Sequence, residues 1–168
     1  GQVVNGYLYG DSGTMAERRW TDDEAPSGNA ARLLALRARN EEGQASDQMD
    51  IRRAVEVEME YEVTRPDMTL LPMFRFINED GVFLFETLDK EFGQQPCPTG
   101  RYTSRVKIPG NFLAEGRVYV SCYLLSLFPN ALQFSAKQSV AFRVMDSYDG
   151  DAARGLWTGR LQGVVRPT

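Results

Sequence analysis

Val55-Glu56-Val57-Glu58-Met59-Glu60-Tyr61-Glu62-Val63 carries the clearest pattern in this chain. Side chains of an extended strand alternate between two faces. Val55, Val57, Met59, Tyr61 and Val63 therefore share one face, and Glu56, Glu58, Glu60 and Glu62 share the other. Wound into a helix, the same residues would scatter the glutamates around the circumference. The period predicts a half-buried strand over residues 54–63, ended by the turn-forming Arg65-Pro66-Asp67.

The same period recurs on both sides. Residues 70–77 and 82–88 flank Asn78-Glu79-Asp80-Gly81, and Asp-Gly between two such runs predicts a hairpin because glycine accepts the positive φ of a tight turn. Residues 96–100 read as a loop, and Tyr102, Ser104, Val106 and Ile108 alternate with polar neighbours up to Pro109-Gly110-Asn111. Residues 117–128 and 132–145 form a further pair about Pro129-Asn130, the second with a bend near 137–139. Residues 32–39 contain good helix formers, but Leu34, Leu36 and Ala38 alternate with polar residues in a short segment bounded by Gly28-Asn29 and Asn40 to Gly43, which favours a strand. A polar loop over 146–154 precedes a last strand at 160–165. Residues 1–29 read as an irregular lead-in with one short strand near 2–8, and residues 30–168 as the folded unit. Strands at this spacing, with no helical segment, predict an all-β fold: an antiparallel β-sandwich of jelly-roll type.

Composition narrows the chemistry. A length of 168 residues suits one domain, and a net charge of −4 opposes nucleic-acid binding, which needs a basic surface. Histidine is absent, which excludes Ser-His-Asp and Cys-His catalysis and His-based zinc sites. Cys97 lies between two prolines and Cys122 within an apolar run; their spacing requires no disulfide, and free thiols fit a cytoplasmic location. Asp146, Asp149 and Asp151 around Gly150 are oxygen-rich but match no full calcium ligand set, so no metal or other cofactor is expected.

Three groups of residues are candidates for binding. Tyr119 and Tyr123 share a strand face with Ser121; a tyrosine offers a flat ring to the C–H face of a sugar and a hydroxyl to its polar edge. The alternative is that both faces of this strand are buried. The glutamate row, Glu58 and Glu60 at its centre, offers carboxylates to vicinal hydroxyls, or else forms a solvated face paired with Arg75, Arg105 or Lys107. As a glycosidase pair it is poorly arranged, because same-strand neighbours point the same way instead of facing each other across a bond. Arg75, Arg105, Lys107 and Lys137 sit at polar strand positions, suited to an acidic sugar or phosphate or to salt bridges within the sheet. Trp20 and Trp157 fall in loop-like regions, as lids on a glycan or as anchors of the termini. The candidate surface is thus Tyr119, Tyr123, Arg75 and Ser121, with Glu58 and Glu60 beside them.

A longer pattern joins these pieces. It runs from Ala25-Pro26-Ser27-Gly28-Asn29 with Leu33 and Leu34 soon after, through Asn78 and Gly81, and on to Phe85, Thr87 and Asp89. Gly100 and Tyr102 follow, then Ile108-Pro109, Asn111, Leu113 and Gly116, then Phe142 and Val144, and the closing Gly163-Val164-Val165-Arg166-Pro167. In order and spacing, from about Trp20 to Pro167, it resembles the C-terminal carbohydrate-binding domain of the ATPase subunit of bacterial O-antigen ABC exporters, the Wzt type. The resemblance implies a non-catalytic jelly-roll module whose concave sheet binds the exported polysaccharide at its modified non-reducing terminus. It also implies a homodimer with exchange of the last strand, and coupling to the exporter's transmembrane subunit through an ATPase domain at the cytoplasmic face of the inner membrane. No Gly-x-x-x-x-Gly-Lys-Ser/Thr phosphate loop occurs in these residues, so the ATPase half is not here. A jelly-roll enzyme acting on glycans and a purely structural dimerisation domain are the competing expectations.

Overall fold

The computed structural model describes residues 15–89 and 95–146. Among them are ten strands and no helix: β1 (Glu17–Arg19), β2 (Ala31–Arg39), β3 (Gln48–Asp50), β4 (Val55–Val63), β5 (Met68–Asn78), β6 (Phe83–Leu88), β7 (Pro96–Cys97), β8 (Gly100–Ile108), β9 (Gly116–Leu127) and β10 (Ala131–Met145). They form a four-stranded sheet A in the order β1-β2-β4-β8 and a six-stranded sheet B in the order β3-β10-β9-β5-β6, with β7 also on β5. Successive strands alternate between the sheets from β2 to β5, the interleaving of a jelly-roll sandwich.

The alternating stretch that predicts the strand becomes β4, paired on both sides by β2 and β8. Its five apolar side chains are all buried and face the inner surface of sheet B, where Leu70, Phe74, Phe76, Val118, Val120, Leu124, Phe134, Val140 and Phe142 complete the core. The hairpin between β5 and β6 also forms as expected. Gly81 has φ +80°, and Asn78 Oδ1 accepts the N–H groups of Asp80 and Val82, each at 2.9 Å.

In β2, Leu33, Leu36 and Ala38 are fully buried, not Leu34. A register shift between Leu33 and Ala35 moves the inward positions by one residue, which simple alternation cannot anticipate. The bend foreseen in the last long strand is a second register shift, between Ala136 and Val140, with Gln138 at φ +48°.

Some expectations need correction. Residues 15–29 are not simply irregular: β1 pairs with β2, and Trp20 is packed into the core, so this tryptophan is an anchor. Met15 and Ala16 join the edges of the two sheets, their carbonyls accepting from Ala141 N at 2.8 Å and Ala38 N at 2.7 Å. Further on, a Cβ at Gly28 would collide with the backbone of Gln133, whose Oε1 accepts the Ala30 N–H at 2.9 Å. The loop expected at 96–100 begins with β7, where Cys97 is buried opposite Met68. The sandwich is not wholly antiparallel either, since β3 adds to β10 in parallel. The short strand near 2–8, Trp157 and the strand at 160–165 lie outside the described residues.

Candidate functional site

The outward-facing surfaces of the two sheets differ in chemistry. On sheet A, β-register places Glu17, Arg37, Glu58 and Arg105 directly opposite one another across all four strands. Arg37 Nε donates to Glu17 Oε2 at 2.9 Å, Arg37 Nη1 donates to Glu58 Oε1, and Arg105 Nε donates to Glu58 Oε2 at 2.7 Å. Arg39 Nη2 reaches Glu58 at 3.3 Å, and Glu60 takes a bond of 3.3 Å from Arg37. Arg37 and Glu58 are buried at 5% and 3% exposure, so this is a shielded ion cluster on an outer sheet face. Burial by itself would raise the Glu58 pKa, but the hydrogen bond from Arg105 and the charges of Arg39 and Arg37 outweigh it and hold the carboxyl below its ordinary value. Both Glu58 oxygens are occupied by guanidinium donors, which leaves little acceptor capacity for a ligand.

Sheet B carries a different surface. Register sets Arg75 opposite Ser121 on β9 and Glu86 on β6, and puts Met73 and Ile77 opposite Tyr123 and Tyr119. The Arg75 guanidinium donates to Glu86 Oε2 from Nε at 3.0 Å and from Nη2 at 2.8 Å. Its Cζ lies 5.1 Å from the Tyr123 ring centre and 5.9 Å from that of Phe83, within cation–π range of both. The hydrogen bond with Glu86 raises the Arg75 pKa further, so the cation is permanent. A charged fork held against aromatic rings, beside the half-buried Tyr119 and Ile77, can stack on a sugar ring and bond its rim.

Tyr119, Tyr123, Arg75 and Ser121 thus come together on sheet B, while Glu58 and Glu60 stand on the opposite side of the sandwich. Ser121 is 1% exposed and its hydroxyl accepts the Gln138 N–H at 2.8 Å; it holds the β10 irregularity in place. Tyr123 is 9% exposed, so its ring is more wall than platform. Arg75 pairs with Glu86, not with the glutamate row, whose partners are Arg32, Arg37, Arg39, Arg101 and Arg105. Sequence reasoning missed Arg37, Phe83 and Glu86. Counting back from the Asn78-to-Gly81 turn would have brought Glu86 close to Arg75, one bulge aside.

Other chemistry is sparse. Among the described residues no three His, Cys, Asp or Glu side chains gather as a metal site, and no helix is long and apolar enough to cross a membrane. Cys97 and Cys122 are free and buried, and burial pushes both thiols up, away from nucleophilic thiolates. A groove of ≈ 290 Å³ lies between the sheet edges, lined by Pro72, Phe74, Thr87, Asp89, Ser104 and Arg105.

No protein-family model matches the sequence, and no curated protein is similar to it. The structure does find a counterpart. It superposes on the crystal structure of the C-terminal domain of Wzt with a TM-score of 0.62, at 14% identity, over 88% of this chain and 89% of that one. The chain shares the fold of the Wzt C-terminal domain. A structural-genomics target, SoR45, aligns at a TM-score of 0.36 and 14% identity over 69% of this chain and 88% of that one, a level that carries no structural argument. The likeness to the Wzt domain extends over nearly the whole of both chains, so the sandwich and its two sheets are common to them.

Proposed function

We propose that this chain is a non-catalytic carbohydrate-binding module that reads the end of a bacterial O-antigen polysaccharide and couples it to export. The observation that carries the reading is the outer face of sheet B, where Arg75, Tyr123, Tyr119 and Phe83 assemble around a cross-strand ion pair on a fold shared with the Wzt C-terminal domain. In this reading Tyr119 and Arg75 contact the terminal sugars, Tyr123 and Ser121 support them, and Glu58 and Glu60 hold sheet A together. The module works at the cytoplasmic face of the inner membrane, joined to an ATPase domain that engages the transmembrane subunit. It pairs with a second copy, with the strand at 160–165 exchanged between them.

Recognition of a terminus needs moderate affinity, because an exporter must release what it binds, and a shallow sheet leaves polar groups partly hydrated. A glycan-active enzyme would need two carboxyls facing each other across a bond, whereas the glutamates of β4 project from one strand into arginines. Calorimetry with a glycan in capped and uncapped form tests the proposal. Binding of the capped form alone is expected, equal binding of both contradicts terminus recognition, and release of reducing ends contradicts a non-catalytic role.

A further inference from the structure

Arg117 and Arg143 stand directly opposite each other on β9 and β10. Val118 and Val144, their neighbours, are buried in the core, so both arginines project from the outer face of sheet B, the face that carries Tyr119 and Tyr123. Like charges at directly opposed positions, with Cβ atoms about 5 Å apart, repel. Among the described residues neither arginine has an ion-pair partner, and the Nε–H of Arg117 is buried with no acceptor. Arg75 on the same face is in the opposite condition, since Glu86 takes two of its donors.

The surroundings define what fits. Arg143 lines a cleft of ≈ 460 Å³ at this end of the sandwich, together with Glu79, Glu115, Val144, Met145 and Asp146. Each of the three carboxylates already has an interaction of its own. Asp47 and Asp50 are close by on the β3 side, where the Asp47 carbonyl accepts the Arg143 N–H at 2.7 Å and Asp50 pairs with Arg52. Arg143 at this cleft and Arg117 opposite it on the next strand, both without anions, stand beside acidic side chains and an apolar wall, which matches a ligand with hydroxyl groups and one negative charge. A simple anion would have only the arginines, and a neutral sugar would leave the two cations unpaired. Two arginines at directly opposed strand positions also suit the several oxygens of a carboxylate or phosphate.

Resting on the carbohydrate-binding reading above, we propose that Arg117 and Arg143 form an anion subsite, so that the recognised glycan carries a carboxylate or phosphate group near its bound end. Tyr119 is two residues along the same strand face from Arg117, about 7 Å. The anionic group would therefore sit beside the sugar ring that Tyr119 carries.

The arginine Nε–H signals of the full chain, followed by ¹H–¹⁵N NMR at constant ionic strength, test this. Probes are sodium phosphate, sodium glucuronate, sodium chloride and glucose. The Arg117 signal is expected to shift with saturation on phosphate, glucuronate or both, and to stay in place with chloride and glucose. Phosphate alone would identify a phosphate ester, and glucuronate alone an acidic sugar. Arg143→Gln changes an exposed residue and should weaken the response about tenfold or more, as loss of a charged hydrogen bond does. No shift beyond that seen with chloride, or an unchanged response in R143Q, overturns the subsite. Neutral glycans that shift Tyr119 and Tyr123 while anions leave Arg117 unmoved would remove the subsite and keep the module. Anions that bind at Arg117 of a protein to which no glycan binds would do the reverse.

Discussion

On sheet A, acid and base alternate strand by strand from Glu17 through Arg37 and Glu58 to Arg105, whereas sheet B presents aromatic rings, the ion pair of Arg75 with Glu86 and two opposed arginines. Both are outward faces of the same sandwich. The first satisfies itself along this row: each of the four charges has its counter-charge on the next strand, and the central pair is shielded from solvent. Among the described residues, the second leaves the Tyr119 ring and the side chains of Arg117 and Arg143 uncommitted. A face closed on itself contributes to stability, and one with unmet capacity is where a ligand adds something. On the proposed reading, the contrast separates residues that hold the fold from residues that read a partner, although both sets are charged or aromatic.

The largest expected effect of breaking the contrast is on sheet A. Glu58→Gln leaves Arg37, Arg39 and Arg105 around a neutral amide and should destabilise by about 3–5 kcal/mol, read from denaturant unfolding, as removal of one partner of a buried pair does. Glycan binding by the folded fraction should be unchanged.

Acid should act on the same cluster. The folded-state pKa of Glu58 lies below its ordinary value of 4.5, so its contribution is fully present above that value and is lost as pH falls through the lower, folded-state pKa. Stability measured across that acid range should fall more steeply in the wild type than in E58Q. Parallel curves would mean that the cluster does not depend on the Glu58 charge.

On sheet B the effects move from stability to binding. Tyr119→Ala removes a half-buried ring and should cost no more than about 1–2 kcal/mol of stability, while glycan affinity falls about tenfold or more. Glu86→Gln should have the smallest effect on folding, within about 1 kcal/mol, because its pair with Arg75 is exposed. By freeing the guanidinium it should raise affinity for an acidic glycan relative to a neutral one. Unchanged selectivity in a titration would show that Arg75 does not touch the ligand.

Much of this architecture was legible in the sequence. The period of residues 55–63 placed β4, Asp80-Gly81 placed the hairpin, and residues 137–139 placed the β10 irregularity, because each is a local signal. The short strands β1, β3 and β7 carry no period of their own and form only because a longer strand offers them an edge. Candidate side chains were legible by type and by strand face. What one strand cannot tell is which sheet it joins. Glu58 and Tyr123 fall into one candidate group in the sequence for that reason, and the crossovers between sheets separate them. Burial of an outward side chain was equally hidden, because Arg37 and Ser121 are covered by neighbours that pairing alone supplies.

Mapping backbone amide shifts on addition of the capped polysaccharide end distinguishes a glycan-reading sheet B from a glycan-reading sheet A. Perturbations are expected to cluster on β5, β6 and β9 about Arg75, Glu86 and Tyr119, with β2, β4 and β8 unmoved. A cluster centred on Arg37, Glu58 and Arg105 would put the glycan on sheet A and overturn the assignment of the two faces.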